Sequence, residues 1–152
     1  MKRLWIGILM ISSSLLGSPG TAQPLSPQAE VIAVEISGDP LAYQFAVTIE
    51  SPDTGCDQYA NWWEVLTPEG ELLYRRILFH SHVDEQPFTR SGGAVALSPE
   101  QEVIVRAHLD PDGYGTQAMQ GTVAEGFETV ELPLDFAVDL ASQDPVHPGC
   151  AF

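Results

Sequence analysis

The stretch from Leu97 to Leu109 reads LSPEQEVIVRAHL, and it decides the fold. After the Ser-Pro turn, small or branched apolar side chains occupy every second position from Val103 to Leu109. Successive residues of a strand point to opposite faces, so alternating apolar residues share one face. The pattern therefore predicts a strand at Glu102–Leu109 with one face in the core.

Similar short stretches lie on both sides of this strand, separated by turns rich in glycine and proline. Many short strands at regular spacing are typical of an antiparallel β-sandwich or barrel. Residues 83–93 are predicted to be irregular, and Asp135–Ala141 to form one or two helical turns. The other predicted strands are Glu30–Ser37, Ala42–Glu50, Asn61–Thr67, Glu71–His82, Ala94–Leu97 and Phe127–Leu132.

Two motifs resemble the fibronectin type III and immunoglobulin-like domains. The corner Leu97-Ser-Pro99, the strand after it and Gly113 resemble the E–F corner, F strand and following hairpin of those domains. Trp63-Glu-Val65 followed by Pro68-Glu-Gly70 resembles their C strand and its turn. The resemblance covers about a third of the mature chain, and Val103 stands where the family has its corner tyrosine. It implies an all-β, immunoglobulin-like antiparallel β-sandwich and carries no catalytic residues.

The first 22 residues have the pattern of an export signal. A basic start at Lys2 and Arg3 precedes the apolar run Leu4–Leu16, and small residues lead up to Ala22. The run is shorter than the roughly 20 residues that span a bilayer. We expect a signal peptide at 1–22, one domain at 23–152, and a periplasmic or extracellular protein with no stable membrane anchor in its mature form.

The charge of the mature chain is strongly negative. Once Lys2 and Arg3 are removed, four arginines stand against 21 acidic residues, which gives −17. Such a surface repels nucleic acids and anionic lipids, so no nucleic-acid partner is expected. It suits solubility, cation binding or a salty medium.

The two cysteines, Cys56 and Cys150, predict one disulfide, because an exported chain matures in an oxidising compartment. The bridge would tie down a C-terminal tail that has little apolar periodicity of its own.

Strand parity predicts a binding surface on the outer face of the sandwich. If Val103 and its alternate neighbours face the core, Arg106 and His108 face outward, and Trp62 and Glu64 do the same on the neighbouring strand. Arg90, in a loop of mixed aromatic, charged and glycine residues, is a further candidate for this surface or an ion-pair partner. The expected partner is an unidentified protein or small molecule.

Histidines raise a second hypothesis, a periplasmic metal-binding protein. His80 and His82 would share a face of their strand, with His108 nearby, and clustered imidazoles bind Zn²⁺ or Cu²⁺. An ordinary pair of surface histidines is the alternative for this motif, and no other cofactor is indicated.

A third and weaker hypothesis is a hydrolase. Asp53-Thr-Gly55 resembles the active-site triplet of aspartic proteases. Proline precedes it where those enzymes have aliphatic residues, and Asp and Gly are ordinary turn residues after proline. We therefore expect a non-enzymatic binding or interaction module.

Overall fold

The fold is seen in a computed structural model that describes residues 27–151, so the predicted signal peptide lies outside the described residues. None of the described residues forms a helix long and apolar enough to cross a bilayer. The nine strands are β1 (Glu30–Ser37), β2 (Tyr43–Glu50), β3 (Tyr59–Leu66), β4 (Leu72–Ile77), β5 (Phe88–Val95), β6 (Val103–Asp110), β7 (Gly113–Tyr114), β8 (Gln117–Thr122) and β9 (Gly126–Glu131).

The strands form two antiparallel sheets. The smaller has the order β1-β2-β5, and the larger has the order β4-β3-β6-β8-β9, with the short β7 also pairing with β6. A single 3-10 helix at Val138–Ser142 is the helical element of the described chain. The predicted all-β class with a short C-terminal helical turn is therefore confirmed.

The main core lies between the two sheets. The smaller sheet contributes alternate residues of β2, Phe45, Val47 and Ile49, all with no exposed surface. The larger sheet contributes the residues that strand parity assigned to the core: Trp63, Val65, Val103, Val105, Ala107 and Leu109.

A second, smaller apolar cluster lies on the opposite face of the larger sheet. The segment 133–151, here called the C-terminal strap, runs over that face and places Leu140 against Leu66 and Ile104. As a result, every residue of β3 is buried, and so is every residue of β6 except the last. The two central strands are therefore covered on both faces.

Three element predictions are wrong. The predicted strand Glu71–His82 ends at Ile77. The chain beyond Ile77 forms hydrogen bonds with other segments; for example, His82 N–H donates to the Asp53 carboxylate. Residues 88–93, predicted to be irregular, belong to β5. Strand β8 was not predicted at all.

Gly92 explains why β5 was taken for a loop. A Cβ atom at this position would lie 2.9 Å from Cζ2 of Trp63 and 2.6 Å from the Tyr74 hydroxyl. The glycine therefore lets a large indole from the opposite sheet approach the strand backbone, and it does not mark a turn.

The Cys56–Cys150 disulfide is present as predicted, with a Cα–Cα distance of 5.6 Å across a separation of 94 residues. It joins the loop before β3 to the end of the C-terminal strap. Beside it, Ala151 N–H donates to the Phe79 carbonyl at 2.7 Å. The bridge thus fixes the last residues of the strap against the chain that follows β4.

We predict that replacing both cysteines, Cys56→Ser with Cys150→Ser, loosens the end of the strap before it unfolds the sandwich. Closing a loop of this length stabilises a fold by up to about 4–5 kcal/mol on the chain-entropy model. Native-state hydrogen exchange should show the amide of Ala151 exchanging much faster, while the amides of β3 and β6 follow only the global loss of stability. Unchanged protection of Ala151 in the double variant would contradict this expectation.

Candidate functional site

The predicted outer face has the expected parity but a different environment. Trp62, Glu64, Arg106 and His108 point away from the main core, yet each is at most 7% exposed. The C-terminal strap covers them. The expectation of a solvent-facing binding surface at these residues is therefore corrected: their face is a second interior.

Glu64 lies at the centre of this interior with no exposed surface. Its Oε2 accepts a hydrogen bond from Arg75 Nε at 2.9 Å, and its Oε1 accepts one from Arg106 Nε at 2.9 Å. Arg75 Nη2 and Arg106 Nη2 approach the same two oxygens at 2.7 and 2.8 Å. One carboxylate is thus held between two guanidinium groups from the neighbouring strands β4 and β6.

The remaining N–H groups of the two arginines bind the backbone of the strap. Arg106 donates to the carbonyls of Phe136 and Ala137 at 2.7 and 2.8 Å. Arg75 donates to three strap carbonyls, at distances of 2.7 to 3.0 Å: those of Leu140, Gln143 and Pro145. Buried guanidinium groups need all their donors satisfied, so the strap completes the ion-pair cluster.

Aromatic rings surround the cluster. The rings of Trp62 and His108 stack at 3.8 Å between centroids, with the Arg75 guanidinium 4.5 Å from the Trp62 ring centre. The Arg106 guanidinium lies 3.5 Å from the centre of the Tyr114 ring. Both contacts add cation–π attraction to a site that excludes water.

His108 is neutral in this environment. Burial, and then the charges of Arg75 and Arg106, lower its pKa to about 3. Its Nδ1 donates to Asn61 Oδ1 at 2.7 Å, which leaves the lone pair on Nε2. A buried imidazole with a fixed tautomer can accept a hydrogen bond at that nitrogen.

Closure by the strap is incomplete beside the disulfide. A groove of about 360 Å³, here called the disulfide groove, remains between the strap and the ends of β3 and β6. His147 of the strap closes one side, because its ring accepts from Gly149 N–H at 2.8 Å and donates to the Leu78 carbonyl at 2.7 Å. The polar and aromatic groups that line the groove come from Tyr59, Asn61, Trp62, His108, Asp110 and His147.

The structure does not gather the three predicted metal-ligating histidines. His80 and His82 lie near each other after β4, with 4.6 Å between ring centroids, and line a hollow with residues 83–85. His108 lines the disulfide groove instead. Within residues 27–151, no group of three His, Cys, Asp or Glu side chains is arranged to hold a metal ion. The three-histidine site is therefore not formed in this part of the chain.

Asp53 has a structural role in this region. Its buried carboxylate accepts hydrogen bonds from Ser51 Oγ at 2.5 Å and from the N–H groups of Ala60 and His82 at 2.9 and 2.8 Å. It thereby joins the loop before β3 to the chain after β4. A carboxylate enclosed in this way is not presented to a substrate, so the resemblance to the protease triplet gains no support from the geometry.

Arg90 lies on β5, and its Nη2 pairs with Glu85 Oε2 at 2.7 Å. This is the ion-pair alternative that the sequence left open, and it holds the pKa of Glu85 below its usual range. A role of Arg90 in binding stays a prediction.

Sequence reasoning missed Arg75, Asn61 and the strap. One available signal was that Leu66 and Ile104 are apolar on the face assigned to solvent. The strap has too few apolar residues for its sequence to predict where it packs. Most of its polar contacts are made by backbone carbonyls, which side-chain patterns do not reveal.

The chain is similar to a curated protein of known sequence but not to a family model. A protein of Halomicrobium mukohataei described as "Putative lipoprotein" is 42% identical over 93 residues, which cover 60% of this chain and 46% of that protein. The chain therefore spans about half the length of this curated relative. No family model matches, and no solved structure matches.

We predict that Glu64→Gln destabilises the fold by about 3–5 kcal/mol, because it leaves two buried guanidinium groups without a counter-charge. Urea unfolding of the purified mature protein measures the loss. The matched control is Glu100→Gln at an exposed turn position, which should change the free energy of unfolding by less than about 0.5 kcal/mol. Equal effects of the two variants would show that the cluster does not stabilise the fold.

We predict that stability falls as the pH is lowered below about 6.5. The unfolded state protonates His108 near the ordinary histidine pKa of 6.5, whereas in the folded state its pKa is about 3, so acid favours unfolding between those values. His82, whose pKa is lowered mainly by burial, acts in the same direction. Denaturant midpoints from pH 7.5 to 4.5 measure the trend.

The variant His108→Gln isolates this contribution. Wild-type stability should exceed that of the variant at pH 7.5, and the difference should shrink by about 2 kcal/mol by pH 5, at about 1.4 kcal/mol per pH unit. A difference that stays constant with pH would mean that folded His108 titrates normally.

Proposed function

We propose that this protein is an exported, non-enzymatic binding module built on an immunoglobulin-like sandwich, with the disulfide groove as its ligand site. One observation carries the proposal. The bond between His108 Nδ1 and Asn61 Oδ1 leaves imidazole Nε2 and amide Nδ2 without a hydrogen-bond partner among residues 27–151. Neither atom belongs to the fully enclosed polar atoms without partners, and both residues line the groove.

At the Asp110 and Tyr59 side of the groove, charge favours a cationic ligand group that carries N–H donors, whereas Arg75 and Arg106 make the field at His108 positive. Asp110 lines the groove together with His108. The pKa of Tyr59, on the same wall, is raised by burial and by the carboxylates of Asp110 and Asp53, which indicates a negative field there. An ammonium or guanidinium group fits such a wall, and the net charge of −17 would attract it.

Export is supported by the signal-like first 22 residues and by the disulfide, which persists in oxidising compartments. The description of the Halomicrobium mukohataei relative as a lipoprotein is consistent with export. On this proposal the mature protein works in the periplasm or outside the cell.

The test uses N-acetylarginine amide as the probe and its citrulline counterpart as the uncharged control. Titrated into the mature protein and followed by NMR, the arginine probe should shift the signals of the Trp62 indole and His108 at millimolar concentration or below. The citrulline probe should bind at least about fivefold more weakly, since about 1 kcal/mol of charge interaction is lost. Equal binding of the two probes would remove the cationic assignment.

Asp110→Asn should weaken the arginine probe by about fivefold, for the same reason. The matched control is Asp112→Asn, which makes the same charge change two residues away at an exposed position that does not line the groove. If both variants weaken binding equally, general charge explains the affinity. If the arginine probe leaves Trp62 and His108 unshifted, the groove is not the site.

A further inference from the structure

The two walls of the disulfide groove differ in character. The ends of β3 and β6 supply a polar wall that includes Tyr59 and Asp110. The C-terminal strap supplies the other wall. Apart from His147, the strap residues that line the groove are small or apolar, namely Ala141, Val146, Gly149 and the disulfide-bonded Cys150. The groove is therefore amphipathic, polar on the side of the sheet and mostly apolar on the side of the strap.

His147 adds ring surface to the strap wall, because both of its nitrogens are already in use. Its Nδ1 accepts a hydrogen bond from Gly149 N–H at 2.8 Å, and its Nε2 donates to the Leu78 carbonyl at 2.7 Å. What the imidazole offers a ligand is thus mainly its carbon surface.

Two large apolar side chains are exposed along the strap wall. Val146 lines the groove and is 46% exposed. Phe79 is 47% exposed, and its ring centroid lies 6.0 Å from that of His147. Ala151 N–H donates to the Phe79 carbonyl at 2.7 Å, which fastens this residue to the end of the strap. Phe79 therefore adds apolar surface at the margin of the strap wall.

From this arrangement we infer that the ligand of the disulfide groove is an amphipathic cation, a short peptide in which a basic residue adjoins a bulky apolar residue. The inference rests on the proposed function, which supplies the cationic group, and it adds the apolar half of the ligand. Val146 and Phe79 are the residues that select for that half.

Burial of apolar surface favours this ligand over a bare cation. Ligand sites are lined largely by apolar side chains, with a few polar groups that fix the orientation of the ligand. Single exposed apolar residues are common on protein surfaces, so the significance of Val146 and Phe79 lies in their position beside the groove. An apolar group placed against them removes their surface from water, which a bare cation does not do.

The size of the groove limits the ligand. Its volume of about 360 Å³ lies near the lower end of the range of about 300–1,000 Å³ that is usual for small-molecule sites. The groove therefore suits one cationic group and the apolar group next to it, and it is too small for a long segment of chain.

A second copy of this chain is the rival occupant of the apolar wall. The net charge of −17 on the mature chain opposes the association of two copies. The same charge attracts a cation, so charge complementarity favours the amphipathic cation.

The test compares four peptides by NMR titration of the mature protein. N-acetyl-leucyl-arginine amide and N-acetyl-arginyl-leucine amide carry the apolar residue on either side of the cation, and two matched peptides carry glycine in place of leucine. At least one leucine peptide should bind at least about fivefold more tightly than its glycine counterpart, because leucine is partly buried on the strap wall. That peptide should also shift the methyl signals of Val146 more than its glycine counterpart does.

Variants on the strap wall show where the leucine binds. The double variant Val146→Thr with Phe79→Ser should bind the leucine and glycine peptides equally, and the glycine peptides should bind it as they bind the wild type. Threonine is close to valine in size, so Val146→Thr removes apolar character with little change in the shape of the groove. The matched control is Val138→Thr, the same change at an equally exposed strap position that does not line the groove, and it should keep the preference for leucine. Amide NMR spectra show whether each variant is folded.

The outcomes separate this inference from the proposed function. If the arginine probe and all four peptides leave Trp62 and His108 unshifted, both fail. If the glycine peptides bind in the groove but leucine adds no affinity in either order, or the added affinity survives in the double variant, the amphipathic ligand is overturned and the proposed function stands. Sedimentation that shows a wild-type dimer, lost in Phe79→Ser, would assign the apolar wall to a second copy and would also overturn it.

Discussion

The ion-pair cluster of Glu64, Arg75 and Arg106 is the interaction on which the rest of this structure depends. A carboxylate with no exposed surface is held between two guanidinium groups on the flanking strands. Such a cluster is costly to bury unless every donor finds an acceptor. The carbonyls of the C-terminal strap supply those acceptors, so a segment with few apolar residues is fixed by polar contacts, and the disulfide secures its end.

Covering this face changes where the chain can interact. The central strands β3 and β6 are buried on both sides, and the aromatic and charged residues of the covered face contact one another. Openings remain near Cys56, which lines both the disulfide groove and the histidine hollow. The four histidines of the chain line one or the other of these two spaces. The candidate ligand groups are thus found beside these two openings.

Much of the fold could be predicted, because the alternation of apolar residues in β2, β3 and β6 directly reflects burial against the opposite sheet. The predictions failed where another constraint prevailed. The glycines of β5 look like a turn, but Gly92 makes room for Trp63. The residues after Ile77 resemble a strand but bond to Asp53 and to the strap. Of the candidate site residues, parity placed Trp62, Glu64, Arg106 and His108 on one face correctly but could not indicate that the face is covered.

The sequence by itself determined the all-β class, the core face of the central strands and the disulfide, because each follows from local periodicity or from the presence of two cysteines. Only the tertiary structure decided that the second face is an interior, that His108 is neutral and that His80 and His82 lie apart from it. These features depend on backbone carbonyls and on contacts between residues distant in the chain. Every residue type carries the same carbonyl group, so side-chain patterns do not record which carbonyls an arginine will bind.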